Sequence, residues 1–264
     1  MAAPKFKIIY GPVYSWRMGM SLGIDPIASD QKYCNFGCGY CQLGRTDAFG
    51  VARKVFITPA EMVAEIKSLP QDCVVDYLTF SGNGEPTLAA NLGELITAAR
   101  AARPGKVAVI SNAVLSGDPA VQQDLALADL VLLKLDAADE DSFRKVNWPA
   151  PGVTLQGIIE GIKSFKKMYK GKLALQIMLV PANKSQAAGL ARLASEIGPA
   201  EVQLNTPLRP SPVKPLSEAE MAEAKQFFVA AGVKVISVYE EEKKAYEPFD
   251  ADATRKRHGE YTSQ

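Results

Sequence analysis

Cys34, Cys38 and Cys41 fall in one short run, Cys34-Asn35-Phe36-Gly37-Cys38-Gly39-Tyr40-Cys41, while the fourth cysteine, Cys73, is distant. Soft thiolates select iron–sulfur clusters, zinc or copper(I). Gly37 and Gly39 allow so short a loop to wrap around a metal group. Three thiolates leave one corner of a cubane-type cluster without a protein ligand, and a reactive cluster needs such an open position. The competing reading is a zinc knuckle with Cys73 as fourth ligand, but zinc ligands typically come as two separated pairs. Cys73 lies in or just before an apolar run and reads as a small buried hydrophobe. His258 is the only histidine. A histidine-rich metal site and ordinary base-catalysed hydrolysis are therefore both disfavoured.

A second group of polar residues follows the β-rich runs. After residues 74–80 comes Ser81-Gly82-Asn83-Gly84-Glu85-Pro86-Thr87. Its glycines let backbone groups approach a ligand closely, and Glu85 can accept from an ammonium; a plain strand-to-helix turn would give a similar string. Ser111-Asn112 follows residues 106–110. Lys134 and Asp136 interrupt or end the apolar run 130–135, where a charge is costly unless paired. They form either a structural contact at the rim of the sheet or a contact to a ligand. Gln176 breaks the run 173–179 and should point inward. Asn205 ends the run 201–205, and Arg209 just beyond it could clamp a carboxylate or phosphate, or be a solvated loop arginine.

The elements that must position these residues alternate. Strands are expected at 74–80, 106–110, 130–135, 173–179, 201–205 and 233–238. Thr58-Pro59-Ala60-Glu61 and Ser217-Glu218-Ala219-Glu220 are capping boxes, predicting helices to about Leu69 and about Ala231, with Gly232 as the stop of the second. Further helices are expected at 92–102, 153–169 and 185–197. Residues 10–26 read as a Gly- and Pro-rich lead-in. Strands alternating with helices indicate parallel βα units, arranged as a partial barrel or a doubly wound sheet. In such barrels the site lies at the carboxyl ends of the strands, where the polar residues above fall.

Bulk composition excludes several classes. The chain has 264 residues, 47% of them hydrophobic, with 30 basic and 29 acidic side chains. This suits one domain with a large core and carries no global electrostatic footprint for nucleic acid or membrane. No stretch approaches the roughly 20 apolar residues of a membrane span, and residues 1–7 lack a signal-peptide core. A cytoplasmic location is expected. Residues 241–264 read as a charged, mobile or partner-dependent tail.

With three intervening residues, then two, and Tyr40 as the aromatic before the last cysteine, the loop resembles that of the radical S-adenosylmethionine (SAM) superfamily. Gly84-Glu85-Pro86 is similar to its Gly-Gly-Glu motif, with Asn83 in place of the first glycine. The resemblance implies an α/β fold, a partial (β/α)6 TIM-like barrel spanning residues 1–240 with an amino-terminal extension. It implies one [4Fe-4S] cluster on Cys34, Cys38 and Cys41, with its free iron chelated by the amine and carboxylate of SAM. One electron, from a donor such as flavodoxin or ferredoxin, would cleave the sulfonium to methionine and a 5′-deoxyadenosyl radical that abstracts hydrogen. Expected cofactor contacts are Tyr40, Ser81, Gly82, Asn83, Gly84 and Glu85, with Glu85 at the methionyl amine. Ser111 and Asn112 are expected near the carboxylate or ribose, and Lys134, Asp136, Gln176 and Asn205 are further candidates.

Tyr10-Gly11-Pro12-Val13, Ser21-Leu22-Gly23-Ile24-Asp25-Pro26 and Cys41-Gln42-Leu43-Gly44-Arg45-Thr46 resemble a subgroup related to the wyosine-synthase branch. Asn205 to Pro210 fits it too, and Trp16 stands within the segment where that subgroup usually has an Arg-Arg pair. Wyosine synthases join a pyruvate-derived fragment to a methylguanosine in transfer RNA using a second cluster. Only Cys73 is left for one here, which cannot hold a conventional cluster, so the substrate does not carry over. An RNA nucleoside, a small metabolite or a glycine on a partner enzyme, as for a glycyl-radical activase, all remain open. Arg255-Lys256-Arg257 could meet RNA phosphates or be a solvated face. A non-catalytic Fe–S or SAM-binding module is the alternative of a different class; an amine-binding loop beside three cysteines argues against it.

Overall fold

The computed structural model describes residues 6–258 except 45, 47, 241–243 and 245. Eight strands form one sheet in chain order: β1 (Ile9–Ser15), β2 (Gly19–Ile24), β3 (Tyr77–Phe80), β4 (Lys106–Ser111), β5 (Leu130–Lys134), β6 (Lys172–Met178), β7 (Glu201–Asn205) and β8 (Val235–Ser237). β1 runs antiparallel to β2, and every later pair is parallel. The crossovers carry α1 (Pro59–Ser68), α2 (Leu92–Ala102), α3 (Pro119–Ala126), α4 (Glu140–Asn147), α5 (Leu155–Met168), α6 (Ala187–Ile197) and α7 (Glu218–Ala230). A last helix, α8 (Ala251–His258), follows β8. β2 to β7 each lead through a helical crossover to the next strand, and β8 does not pair with β1. The fold is a partial (β/α)6 barrel of TIM type with an added antiparallel edge strand.

The two faces of the sheet do different things because side chains alternate along each strand. Leu22 and Ile24, Leu78 and Phe80, Val107 and Val109, Val131 and Leu133, Leu175 and Ile177, and Val202 and Leu204 face the helices, fully buried. Each contributes about 1.5–3 kcal/mol by leaving water. On the inner face Met18, Ala108, Leu130, Leu132 and Ala174 form a separate apolar cluster near the amino ends of the strands. Toward the carboxyl ends the inner face turns polar, through Thr79, Ser81, Lys134, Gln176 and Asn205. The lumen thus has a largely apolar floor, crossed by the buried Glu201–Gln203 hydrogen bond of β7, and a polar mouth.

Several elements differ from expectation. Residues 10–26 are not an irregular lead-in: they make the β1–β2 hairpin, and β2 is the first parallel strand. Gly11, Pro12 and Gly23 hide the strand signal, yet each has a place. Proline is tolerated on an edge strand, the β1–β2 register slips between Tyr10 and Val13, and a Cβ on Gly23 would overlap the Tyr10 ring. The strand expected from residue 74 begins at Tyr77, and Val74 is 67% exposed. Cys73 is half-buried in the preceding turn rather than buried. β8 is shorter than expected. Helices α3 and α4 were not expected, since both are short and polar. Asp118 and Asp139 cap them, accepting from Val121 N and Ser142 N. The two capping boxes form as expected at Thr58/Glu61 and Ser217/Glu220.

The charged segment beyond residue 240 is more than a tail. Its α8 packs on β1: the Gly11 N–H donates to Thr254 Oγ1 at 2.9 Å, and the Phe6 N–H to Asp250 Oδ2 at 2.8 Å. Arg257 reaches inward to Asp25 just after β2, Nε to Oδ2 2.9 Å, with both side chains essentially solvent-free. Its charge pattern resembled a solvated tail because these charges are neutralised by partners far away in sequence.

Candidate active site

The cysteine loop lies in the β2–α1 crossover, at the carboxyl end of the sheet, and is held by its neighbours' backbones. Gly37 N–H donates to Asn147 O (3.1 Å) and Trp148 O (2.9 Å), and Gly39 N–H donates to Val146 O (3.1 Å), so the end of α4 cradles the turn. On the other side the loop is stitched to the segment after β3. Tyr33 N–H donates to Asn83 O (3.1 Å) and Glu85 N–H to Tyr33 O (3.0 Å). The approach is so close that a Cβ on Gly84 would fall on the Tyr33 carbonyl oxygen. Gly84 is therefore glycine for a steric reason.

The sulfurs sit among N–H donors. Cys34 Sγ accepts from Phe36 N–H at 3.5 Å and Asn112 Nδ2 at 3.7 Å; Cys38 Sγ accepts from Asn147 Nδ2 at 3.6 Å. Burial, with the Glu85 charge second, pushes the Cys34 thiol up to about 12. Burial and Asp136 push Cys38 to about 11. Asn147 was missed in the sequence. Fully buried, its amide also donates to Asp136 Oδ2 (2.8 Å), the same oxygen that accepts from the Tyr40 hydroxyl.

Glu85, 2% exposed, caps the short 3-10 turn Pro86–Leu88. Its Oε1 accepts from Thr87 N (3.0 Å), Thr87 Oγ1 (2.7 Å) and Ser111 Oγ (2.8 Å), and its Oε2 from Asn112 N (2.7 Å). Burial raises its pKa against these donors. In this arrangement the carboxylate ties the loop after β3 to the end of β4.

A cavity of about 360 Å³ opens at the mouth of the barrel. Cys34, Cys38 and Cys41 line it together with Tyr40, Ser81, Gly82, Gly84, Glu85, Ser111, Asn112, Lys134, Gln176 and Asn205. Two expected contacts are turned elsewhere. Asn83 Nδ2 donates to Ser29 O at 2.7 Å. Asp136 is occupied by Tyr40, Asn147, the Met178 N–H (2.8 Å) and the Lys134 ammonium (3.4 Å), and stays outside the cavity. Tyr10, Arg17 and Arg257 also line the cavity and were not anticipated; Tyr10 Oη shares a hydrogen with Ser81 Oγ at 2.6 Å. Cys73 precedes β3 and so lies toward the opposite end of the strands from the thiols.

The family model of the Radical SAM superfamily matches residues 29–194, which include this whole loop system. The chain belongs to the radical SAM superfamily. This radical SAM protein is similar to a UPF0026 protein of Synechocystis sp., 40% identical over 211 residues, 79% of this chain and 78% of that one. Its fold is similar to that of TYW1 with a lysine-pyruvate adduct bound, at TM-score 0.63 and 15% identity, over 81% of this chain and 75% of the other. A second neighbour is native anSMEcpe with bound AdoMet, at TM-score 0.60 and 16% identity, over 81% and 64%. Membership in this superfamily implies an iron–sulfur cluster and SAM.

The donor set fits such a cluster. Three thiols of one loop line one cavity, and soft thiolates are the ligand type an iron–sulfur cluster takes. The N–H groups aimed at Cys34 and Cys38 supply what a ligating thiolate wants and burial withholds.

The far wall is basic. Arg17, on the β1–β2 hairpin, lines the cavity, and its Nε and Nη1 are buried yet donate to no acceptor among the described residues. Burial, and then the neighbouring charge of Arg209, lower its pKa to about 10. Arg209 lines the same cavity from the loop after β7, its Nη1 reaching Gln42 Oε1 at a long 3.4 Å. Leaving buried N–H donors unpaired costs about 1–3 kcal/mol, so an arginine kept this way is unusual.

Among the described residues no helix is long and apolar enough to cross a membrane.

Proposed function

We propose that this protein is a radical SAM enzyme that binds one [4Fe-4S] cluster on Cys34, Cys38 and Cys41 and initiates its reaction by hydrogen abstraction. The observation that carries the reading is that the three thiols and the Gly84-Glu85 loop open onto one cavity at the carboxyl ends of the strands. The cluster and SAM would together supply a 5′-deoxyadenosyl radical after transfer of one electron from a donor of the flavodoxin or ferredoxin kind. The protein's own residues do the rest. Gly82 and Gly84 put backbone without side chains on the cavity wall, where carbonyl oxygens would accept from a methionyl amine. Glu85 keeps that loop in register with Ser111 and Asn112. Gln176 and Asn205 offer amide groups to the ribose or adenine, and the apolar floor beneath keeps bulk water from entering from below.

The cluster and SAM together would take up most of a cavity of about 360 Å³, walled by the hairpin on one side and α8 on another, so the substrate would meet them at its mouth. An RNA nucleoside would have to be flipped out of its strand to enter. The test is anaerobic reconstitution with iron and sulfide, reduction, addition of SAM, and detection of 5′-deoxyadenosine by mass spectrometry. Its formation is the expected result. A protein with a full cluster and bound SAM that forms none, with or without cell-extract metabolites, would support a non-catalytic module instead.

A further inference from the structure

The helix that follows the barrel is fastened by polar contacts rather than by an apolar face. Of the described α8 side chains only Ala253, Thr254 and Arg257 are buried, and Ala253 brings a single methyl group. Thr254 holds the helix to β1 through the Gly11 N–H, and Arg257 makes its deepest contacts. An element with so little apolar burial opens at small cost, so its docking responds to whatever its polar contacts touch.

Two of those contacts lead to the loops around the cavity. The Arg257 guanidinium lines the cavity, donates from Nε to Asp25 Oδ2 at 2.9 Å and from Nη2 to Lys7 O. The other oxygen, Asp25 Oδ1, accepts from the Ile27 N–H at 3.1 Å, so the carboxylate is held from both sides. It fills the space beside Gly82 where a side chain would stand: a Cβ there would lie 2.4 Å from Asp25 Cγ. The preceding Ser81 N–H donates to Ile24 O at 3.0 Å. Asp25 and its neighbour therefore form the back of the Ser81-Gly82 turn. On the cysteine side, the Arg257 carbonyl accepts from Gln42 Nε2 at 3.1 Å, and Gln42 is adjacent to Cys41. One residue of α8 thus reaches the supports of both loops that open on the cavity.

We infer that Arg257 is a positioning residue for the Ser81–Glu85 loop, and that docking of α8 is coupled to binding of SAM. The inference rests on reading the cavity as the SAM site, but its test needs no SAM cleavage. Arg257 acts through Asp25, which it fixes behind Gly82. Coupling between two sites is reciprocal, so a loop that binds SAM better with α8 docked also holds α8 more firmly once SAM is bound.

The experiment uses the reconstituted full-length protein under anaerobic conditions and reads SAM affinity by calorimetry, with iron and sulfide content measured alongside. Asp25→Asn/Arg257→Met removes both charges and so leaves no buried ion unpaired. It should keep its cluster and bind SAM about tenfold more weakly. Lys256→Ala removes only the exposed ion pair between α8 and Asp30, and should bind SAM as the wild type does. In the wild type, saturating SAM should slow amide exchange across residues 251–258 by about the same factor of ten. This last measurement stands whether or not a variant folds. Wild-type affinity in the double variant would overturn the inference. Loss of its cluster would make Arg257 a support of the cysteine loop as a whole, and would overturn the assignment to the Ser81–Glu85 loop. An equal loss of affinity in Lys256→Ala would trace the effect to overall charge and overturn it too. A wild type that holds a cluster and binds no SAM would overturn the proposed function together with this inference. One that binds SAM and leaves the exchange of α8 unchanged would overturn this inference alone.

Discussion

The Glu85 carboxylate accepts the backbone N–H of Asn112 at 2.7 Å and the Ser111 hydroxyl at 2.8 Å, joining the loop after β3 to the end of β4. Removing it frees both loops at once. Glu85→Ala should lose about 3 kcal/mol of stability, through several buried donors left unpaired, and weaken SAM binding at least tenfold by anaerobic calorimetry. Glu85→Gln, which keeps an acceptor, should restore part of both. Wild-type SAM affinity in Glu85→Ala would show that the loops hold their positions without it.

Replacing Cys34, Cys38 or Cys41 singly with Ala should abolish the cubane cluster, measured as iron and sulfide content and the visible charge-transfer band. Cys73→Ala should leave the cluster intact. A full-occupancy cluster in Cys38→Ala would remove that residue from the ligand set, and cluster loss in Cys73→Ala would revive a four-cysteine site.

Asn147 offers a finer test. Its amide donates to Cys38 Sγ and to Asp136. Hydrogen bonds to ligand sulfur stabilise added electron density and raise a cluster's potential. Asn147→Ala should make the reconstituted cluster harder to reduce in an anaerobic redox titration and cost about 1–2 kcal/mol of stability. An unshifted potential would mean that the 3.6 Å contact to sulfur carries no electronic weight.

What could be read in advance follows a physical division. The cysteines were legible because their spacing is short-range and their chemistry is restricted to thiolates. The helices α1 and α7 were legible because a capping box closes within four residues. Asn147 was not, since nothing near it in sequence says that the end of α4 will meet the cysteine loop. Arg17 was not legible, since its place on the cavity wall is set by how the hairpin folds over the barrel mouth and not by its neighbours in sequence. The β1–β2 hairpin was obscured by glycine and proline whose reasons are tertiary: the Tyr10 ring over Gly23 and the edge position of Pro12. Asn83 was expected at the cofactor, yet its amide is held by Ser29 O; of the two readings of Asp136, a ligand contact or a structural pair with Lys134, the structure shows the pair, with Tyr40 and Asn147 added to it.

The buried pair of Asp25 and Arg257 yields a stability prediction. Asp25→Asn leaves Arg257 charged and unpaired in the interior, which should cost about 3–5 kcal/mol. The double variant Asp25→Asn/Arg257→Met should recover part of that loss, since removing both charges is far less costly than removing one. Thermal melts of the three proteins decide it. Equal stability of Asp25→Asn and wild type would mean that Arg257 finds another acceptor.

The same pair has a consequence for the order in which the protein can be made. Asp25 and Arg257 are 232 positions apart, and Asp25 lies against Gly82, where a Cβ would strike its carboxylate. Arg257 is made only after all eight strands of the sheet and the cysteine loop. The wall beside the glycine loop is therefore the last part of the described barrel to gain its neutralising cation, and the loop it flanks must hold its place until then without it.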